Sequence, residues 1–134
     1  MRTLVHEKLS GEIIAAAMKV HSTLKSGLDE KLYENALVIE LAKREHRADQ
    51  QKSFPVYYDG HFIGKMMPDL IVDELVIVDL KVVDEFNKNH FAQMIGYLAI
   101  TSLELALLIN FKRASLIWKR VVKTGVAPSG EIEL

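Results

Sequence analysis

The sequence contains no cysteine and almost no surplus of charge of either sign. The absence of cysteine excludes a disulfide framework and thiolate metal sites, and it fits a reducing compartment. Seventeen basic residues against eighteen acidic ones leave a formal net charge of −1. The composition therefore predicts no global attraction to a polyanion, and any phosphate-binding patch has to be local.

Long apolar runs are missing as well. No stretch approaches the ~18 consecutive apolar residues that a bilayer-spanning helix needs. The N-terminus, Met-Arg-Thr-Leu-Val-His-Glu-Lys, lacks the apolar segment of a signal peptide. We therefore expect a cytoplasmic protein that does not enter a membrane.

The chain is long enough for one folded domain. Its 134 residues are 49% hydrophobic and 26% charged, which allows a sizeable core. From Lys123 onward glycine, proline and serine become frequent. We expect a single domain over residues 1–122 and a flexible C-terminal tail over residues 123–134.

Apolar periodicity predicts three helices and five strands. The expected helices are 5–25, 28–45 and 86–101, and the expected strands are 54–58, 61–72, 75–83, 103–111 and 114–122. The polar stretch 43–52 is interpreted as a helix end and a linker. The order α-α-β-β-β-α-β-β predicts an α/β fold, with a mixed β-sheet of about five strands flanked by helices.

Local signals add turns and buried faces to this outline. Asp59-Gly60 and Asp73-Glu74 predict tight turns, and Gly64 and Pro68 predict a bend within the strand 61–72. Gly27 is suited to a left-handed end of the first helix. The side chains expected to be buried on the second helix are Leu32, Tyr33, Ala36, Leu37 and Ile39, and those on the third helix are Phe91, Ile95 and Leu98.

The run from Leu75 to Val83 is the most informative stretch. Seven of its nine residues are apolar, which is typical of a strand buried on both faces. Asp79 and Lys81 interrupt it two positions apart, so they lie on the same face. Burying these charges costs several kcal/mol unless a well-placed partner or a bound group offsets the cost. With Asp69 in the preceding apolar run, they favour a divalent-metal site for phosphoryl chemistry, while a purely structural ion pair remains the alternative.

Several other polar side chains have both a structural and a functional interpretation. His21 lies on or beside the apolar stripe of the first helix and is either a satisfied core histidine or part of a pocket. Glu30 falls in the first turn of the second helix, where the helix dipole favours a carboxylate. Tyr33 lies one turn after Glu30, and Tyr97 one turn after Gln93, so each pair points the same way.

Six motifs occur in the order found in a known family. They are Gly27 to Tyr33 (GxxExxY), Tyr58-Asp59-Gly60, Pro68-Asp69, Asp79-Leu80-Lys81, Gln93 to Leu98, and Ile109-Asn110-Phe111. Over residues 9–122 the chain resembles the GxxExxY proteins, a branch of the PD-(D/E)xK nuclease superfamily. A lone Pro-Asp or Asp-x-Lys occurs by chance in many chains, whereas six motifs in one order are specific.

This resemblance implies a restriction-endonuclease-like core and a site for hydrolysis of phosphodiester bonds in DNA. Asp69, Asp79 and Glu30 match the acids that hold Mg²⁺ or Mn²⁺, and Lys81 matches the lysine that aids attack by water. Gln93, with Tyr97 a turn later, matches the helix position that supports the lysine and the substrate. Nucleic acid, most of all DNA, is the implied partner.

The chain departs from the family pattern at two positions. Asp79 stands where this branch more often has glutamate, although aspartate is accepted across the wider superfamily, and Met67 stands where an arginine commonly precedes the strand acid. Met67, the near-neutral charge and the small size of the chain motivate an alternative function, a nuclease-fold module that binds nucleic acid or a protein partner with weak or no turnover. The edge strand 54–58 also suggests a surface through which a homodimer would form.

Overall fold

The structure, a computed structural model, describes residues 4–123 and 131–133. Three helices, α1 (Glu7–Leu24), α2 (Glu30–Lys43) and α3 (Lys88–Thr101), accompany eight strands. The strands are β1 (Ala48–Gln50), β2 (Phe54–Tyr58), β3 (His61–Met66), β4 (Leu70–Val72), β5 (Val76–Lys81), β6 (Leu105–Asn110), β7 (Ile117–Val122) and β8 (Glu131–Glu133). Within these described ranges no helix is long and apolar enough to cross a membrane.

The main sheet has six strands in the order β1-β4-β5-β6-β7-β8. The β5–β6 and β7–β8 pairs are parallel and the other pairs are antiparallel, so the sheet is mixed. Helices α1 and α2 cover one face, and α3, which connects β5 to β6, covers the other. The predicted fold class, a mixed sheet flanked by helices, is confirmed.

Alternation along β5 sends its side chains to different layers. Val76, Val78 and Leu80 join the core under α1 and α2, and Ile77 joins the core under α3. By the period of two, Asp79 and Lys81 share the α3 face with Ile77. The apolar side of the strand therefore fixes it in the sheet, and the polar side faces one helix.

The predicted long strand 61–72 is in fact two strands in different sheets. It breaks after Met66, because Pro68 cannot donate a ladder hydrogen bond, and β4 begins at Leu70. The hairpin β2–β3 forms a separate two-stranded sheet, so the prediction of one continuous meander is wrong. The turn of the β2–β3 hairpin, at Asp59-Gly60, has positive φ at both residues, as predicted for a tight two-residue hairpin.

Strand β1 lies inside the stretch that the sequence predicts to be a linker. Ala48 to Gln50 pairs antiparallel with Val72 to Leu70. Its polar sequence, Ala-Asp-Gln, has no apolar alternation, because this edge strand is specified by its partner rather than by its own residues. Residues 124–130 and 134, most of the segment predicted to be a flexible tail, lie outside the described residues, and within that segment the structure describes β8.

The buried faces of α2 and α3 are rotated about the helix axes relative to the predicted buried faces. On α2 the fully buried apolar residues are Tyr33, Leu37 and Leu41, whereas Leu32 and Ile39 are 50% and 61% exposed. On α3 the buried residues are Met94, Tyr97 and Leu98, and Ile95 is exposed. Apolar residues occur on several sides of both helices, so tertiary packing rather than periodicity selects the buried side. The first helix ends with the left-handed residue Lys25, two positions before Gly27.

A histidine joins three elements on the α1 side of the sheet. His46 Nδ1 lies 2.6 Å from Asp73 Oδ2 in the β4–β5 turn, and its Nε2 lies 3.1 Å from Glu12 Oε1 on α1. The hydrogen bond to Asp73 raises the pKa of His46 above 6.5; burial opposes this, and Glu12 adds to it. The imidazolium form is therefore favoured by the folded state.

This contact predicts a pH-dependent contribution to stability. Because the folded pKa of His46 is above its unfolded value of 6.5, the contribution is complete below that value and is lost as the pH rises through the folded pKa. We expect the difference in melting temperature between wild type and His46→Gln to be largest below pH 6.5 and to shrink as the pH is raised from there into the alkaline range. A difference that stays constant over this range would show that the charge of His46 plays no part.

Candidate active site

The centre of the site is an ion pair on β5. Asp79 is 2% exposed, and its Oδ2 lies 2.9 Å from Lys81 Nζ. This oxygen is buried, and apart from this ion pair it has no hydrogen-bond partner in the described part of the chain. Burial raises the pKa of Asp79, and Lys81 opposes the rise.

Asp69 is held against β5 by the backbone. It lies between Pro68 and the start of β4, and its Oδ2 accepts a hydrogen bond of 2.9 Å from the Leu80 backbone N–H, between Asp79 and Lys81 in sequence. Burial and then the charge of Asp79 raise the pKa of Asp69 to about 7, although the hydrogen bond from Leu80 opposes this. Two carboxylates are thus confined together in a poorly solvated position.

Glu30 approaches this pair from a different layer. It is the first residue of α2 and is partly exposed. Burial and the charge of Asp69 raise its pKa, and Lys81 lowers it, so all three acids share one electrostatic neighbourhood. Over residues 4–123, however, no group of three or more His, Asp or Glu side chains is close enough to hold a metal ion. Glu30 on its helix thus lies near the two aspartates without forming a preformed three-acid cluster with them, and its role as a metal ligand stays a prediction.

A chain of hydrogen bonds runs from the lysine onto α3. Lys81 Nζ donates to Gln93 Oε1 at 3.1 Å, and Gln93 Nε2 donates to the Tyr97 hydroxyl at 3.0 Å. Burial, then the charges of Asp79 and Asp69, raise the pKa of Tyr97 to about 12, so its hydroxyl stays protonated at neutral pH. The structure therefore brings Gln93 and Tyr97 together with Lys81.

His21 and Tyr33 have polar contacts to the backbone instead. His21 Nε2 lies 2.9 Å from the Arg113 carbonyl oxygen and must donate to it. The Tyr33 hydroxyl donates to the Lys25 carbonyl at 2.5 Å and accepts from the Leu28 N–H at 3.2 Å.

The contacts of Tyr33 give the GxxExxY motif a physical basis. The tyrosine ties down the loop between α1 and α2, and Gly27 within that loop has φ 110°, a value that favours glycine. The loop ends at the first residue of α2, so its conformation sets the position of Glu30.

Glu34 is a polar residue of this region that the sequence analysis missed. It is 2% exposed, and its Oε2 accepts hydrogen bonds of 2.8 Å from Lys31 Nζ and from Gln50 Nε2. The neighbouring Gln51 N–H donates to the Asp69 carbonyl at 3.1 Å. The only sequence signal was its position between the buried Tyr33 and Leu37, and its pairing with Lys31 looks like a solvated surface pair.

Asn110 closes the same end of the sheet. Its Nδ2 donates to the Val83 carbonyl at 2.7 Å, and its Oδ1 accepts from the Val83 N–H at 3.2 Å. These two bonds fix the chain just after β5 to the end of β6, its parallel neighbour. The Ile-Asn-Phe motif therefore supports the strand that carries Asp79 and Lys81.

The fold and this acid-lysine site together define a nuclease-like α/β/α protein. A sequence model described as the PD-(D/E)XK nuclease superfamily matches residues 7–121. The chain belongs to the PD-(D/E)XK nuclease superfamily. A comparison with curated proteins gave no significant match.

Two solved structures are similar to this one. SSO0001 is 15% identical with a TM-score of 0.55, and the match covers 86% of this chain and 58% of that one. An alkaline exonuclease (LHK-Exo) from Laribacter hongkongensis is 9% identical with a TM-score of 0.46, covering 87% of this chain and 81% of that one. The first supports the fold, and this chain spans little more than half of SSO0001.

The buried position of Glu34 makes a stability prediction. Glu34→Gln removes the charge that accepts bonds from Lys31 and Gln50, so we expect a loss of about 1–3 kcal/mol in the free energy of unfolding. Glu40→Gln is the matched control on the same helix, since the Glu40 side chain is 16% exposed against 3% for Glu34, and it should lose only about 0.5 kcal/mol. Urea unfolding measures both, and equal losses would contradict a special role for Glu34.

Proposed function

We propose that the protein is a divalent-metal-dependent nuclease that hydrolyses phosphodiester bonds in DNA. The observation that carries the proposal is the group formed by the buried Asp79 and the partly buried Asp69 and Lys81 at one end of β5. Two carboxylates whose pKa values are raised by burial, beside one ammonium, are unfavourable as a purely structural cluster. Membership of a nuclease superfamily agrees with a function in which a substrate and a cation complete the site.

The donor set fits magnesium or manganese. The Asp79 oxygen without a hydrogen-bond partner and the crowded Asp69 are hard oxygen donors. Asp69 and Asp79 would hold the ion, and Glu30 would add a third carboxylate. Two carboxylates suffice, because Mg²⁺ usually keeps several waters and shares the substrate phosphate. When bound, the ion supplies Lewis-acid chemistry, which makes water a better nucleophile and offsets charge on the phosphate.

Lys81 is placed to act on the phosphate itself. Its side chain is 18% exposed, and its ammonium has three N–H groups, one of which bonds Gln93. A remaining N–H can donate to a phosphate oxygen on which charge develops as water adds to phosphorus and the ester P–O bond breaks. Gln93, itself held by Tyr97, keeps the ammonium directed toward the site.

The GxxExxY branch is the subdivision we propose for this chain. Its support is the set of six motifs, two of which have a clear physical role: Tyr33 fixes the loop before Glu30, and Asn110 fixes the end of β5.

A second candidate function, a binding module without turnover, is favoured by Met67, which is 49% exposed two residues before Asp69 where the branch commonly has arginine. DNA, rather than RNA, follows from the resemblance.

Cleavage of labelled DNA tests the proposal. We expect single- or double-stranded DNA to be cut with Mg²⁺ or Mn²⁺ and not with a chelator, and we expect Lys81→Ala to lower the rate by at least about 100-fold through the loss of charge stabilisation. Lys112→Ala, which removes an exposed lysine paired with Asp84, is the control and should retain activity. Binding without cutting under all metal conditions would favour the second candidate.

Metal binding is tested separately by thermal unfolding. A ligand that binds only the folded state raises the melting temperature, so we expect Mg²⁺ or Mn²⁺ to stabilise the wild type. Asp79→Asn should abolish this shift, because it removes the charge of the central ligand. Asp49→Asn is the control, because Asp49 lies on the edge strand β1 and pairs with Arg47. This variant should retain the shift. An unchanged melting temperature for the wild type would argue against a metal site at these residues.

A further inference from the structure

The hairpin β2–β3 presents a group of exposed aromatic side chains. Tyr57, Tyr58 and Phe62 are 61%, 73% and 57% exposed, and Ile63 beside them is 63% exposed. The base of the hairpin is anchored, since Phe54 and Met66 pack against the core under α3. The end that carries the rings therefore extends beyond the core, and exposed apolar groups of this kind mark binding surfaces.

The hairpin continues directly into the candidate site. Phe62 lies seven positions before Asp69, so at ~3.3 Å per residue the Cα atoms of the two residues are at most ~23 Å apart. This length equals about seven nucleotides at the ~3.4 Å rise of one strand. A polynucleotide bound at Asp69 and Asp79 is thus long enough, within a few nucleotides, to reach the rings.

The arrangement of the rings and charges suits unpaired bases. Tyr57 and Phe62 are cross-strand partners with ring centroids 5.9 Å apart and planes at 70°, so they lie on one face of the hairpin. Lys52 and Lys65 are exposed near its base, against the single acid Asp59 at its turn. Aromatic rings interleaved with cations are the combination that binds single-stranded nucleic acid without sequence preference.

A second copy of the chain is a weaker candidate for this surface. An aromatic side chain offers about 150–250 Å² when fully exposed. The three rings, with the observed exposures, together present roughly 400 Å². A standard interface buries about 800 Å² per partner. A base, in contrast, needs only one ring, because each base presents a whole face for stacking.

We propose that Tyr57 and Phe62 form a stacking platform that engages unpaired bases of the nucleic acid bound at the candidate site. The identity of the polymer rests on the proposed function, and the platform adds the substrate class: single strands, overhangs or frayed ends. A bulge lies beside the two rings: the register shifts between Val56, which pairs with Gly64, and Tyr57, which pairs with Phe62, and a bulge increases the local twist of a hairpin.

Equilibrium binding of fluorescent oligonucleotides tests the platform apart from catalysis. Single-stranded DNA and a duplex of the same sequence are titrated with the protein in chelator, and with Mg²⁺ in the Lys81→Ala background, where cutting does not interfere. We expect tighter binding of the single strand, and a loss of about tenfold for Tyr57→Ala or Phe62→Ala, the size of one base–aromatic stack. Tyr57→Phe should retain wild-type affinity because it keeps the ring.

The control is Ile39→Ala on α2, which removes an equally exposed apolar side chain (61%) and should not change affinity. Thermal unfolding verifies that each variant is folded. Unchanged single-strand affinity in both alanine variants, or no binding by the wild type in chelator and by Lys81→Ala in Mg²⁺, would overturn the platform. A concentration-dependent dimer that the alanine variants dissociate, with affinity unchanged, would assign the surface to a second copy and also overturn it.

The binding and cleavage results separate the two proposals. Ring-dependent binding without any metal-dependent cutting supports the platform and contradicts turnover. Cutting that requires Lys81, together with binding that does not depend on the rings, supports turnover and contradicts the platform.

Discussion

The structure depends on the confinement of Asp69 and Asp79 beside Lys81 on a strand that is otherwise apolar. Both carboxylates have raised pKa values because they are buried and, for Asp69, because the other charge is near. One ammonium at 2.9 Å does not neutralise two acids. A cluster of this kind lowers the stability of the chain on its own, and groups that do so are characteristic of functional sites.

The rest of the fold keeps this cluster in place. Leu70, Val78 and Leu80 are fully buried against α1 and α2, so β4 and β5 cannot move away from each other to relieve the repulsion. The Leu80 N–H holds Asp69, Asn110 fixes the end of β5, and Gln93 holds Lys81. Apolar packing thus holds β4 and β5 in place, while Asp79 and Lys81 lie on the face of β5 that α3 covers.

Whether a feature of the fold could be predicted depends on whether the local sequence or contacts between distant segments specify it. The strand around Asp79 and Lys81 is specified by its own residues, because seven apolar neighbours leave few alternatives, and the tight turn at Asp59-Gly60 is specified by local conformation. The mixed sheet between helices followed from the element order. The pairing of β1 with β4 and the separation of the β2–β3 hairpin depend on contacts between distant segments, which periodicity does not encode.

The same distinction explains the errors within the site. Leu32 and Ile39 have the spacing of a buried stripe, yet Tyr33 and Leu37 are buried because Tyr33 stacks on Phe111, 4.7 Å between centroids, and bonds the α1–α2 loop. This orientation of α2 also places Glu34 in the interior, where Gln50 and Lys31 donate hydrogen bonds to its carboxylate. A polar residue adjacent to two buried ones cannot be recognised until the phase of the helix is known, and this phase comes from the tertiary structure.

The charge distribution relates the acidic centre to the hairpin. A chain with a net charge of −1 and three acids in one neighbourhood repels a polyanion, so its overall field cannot supply the affinity. Several cations near the site are already paired, as Lys112 is with Asp84. Under the proposed function, a cation bound among the carboxylates and contacts that do not depend on charge would add to the affinity that local lysines supply. Stacking on exposed rings is such a contact, so the proposed platform on the hairpin would offset the repulsion by the acids of the site.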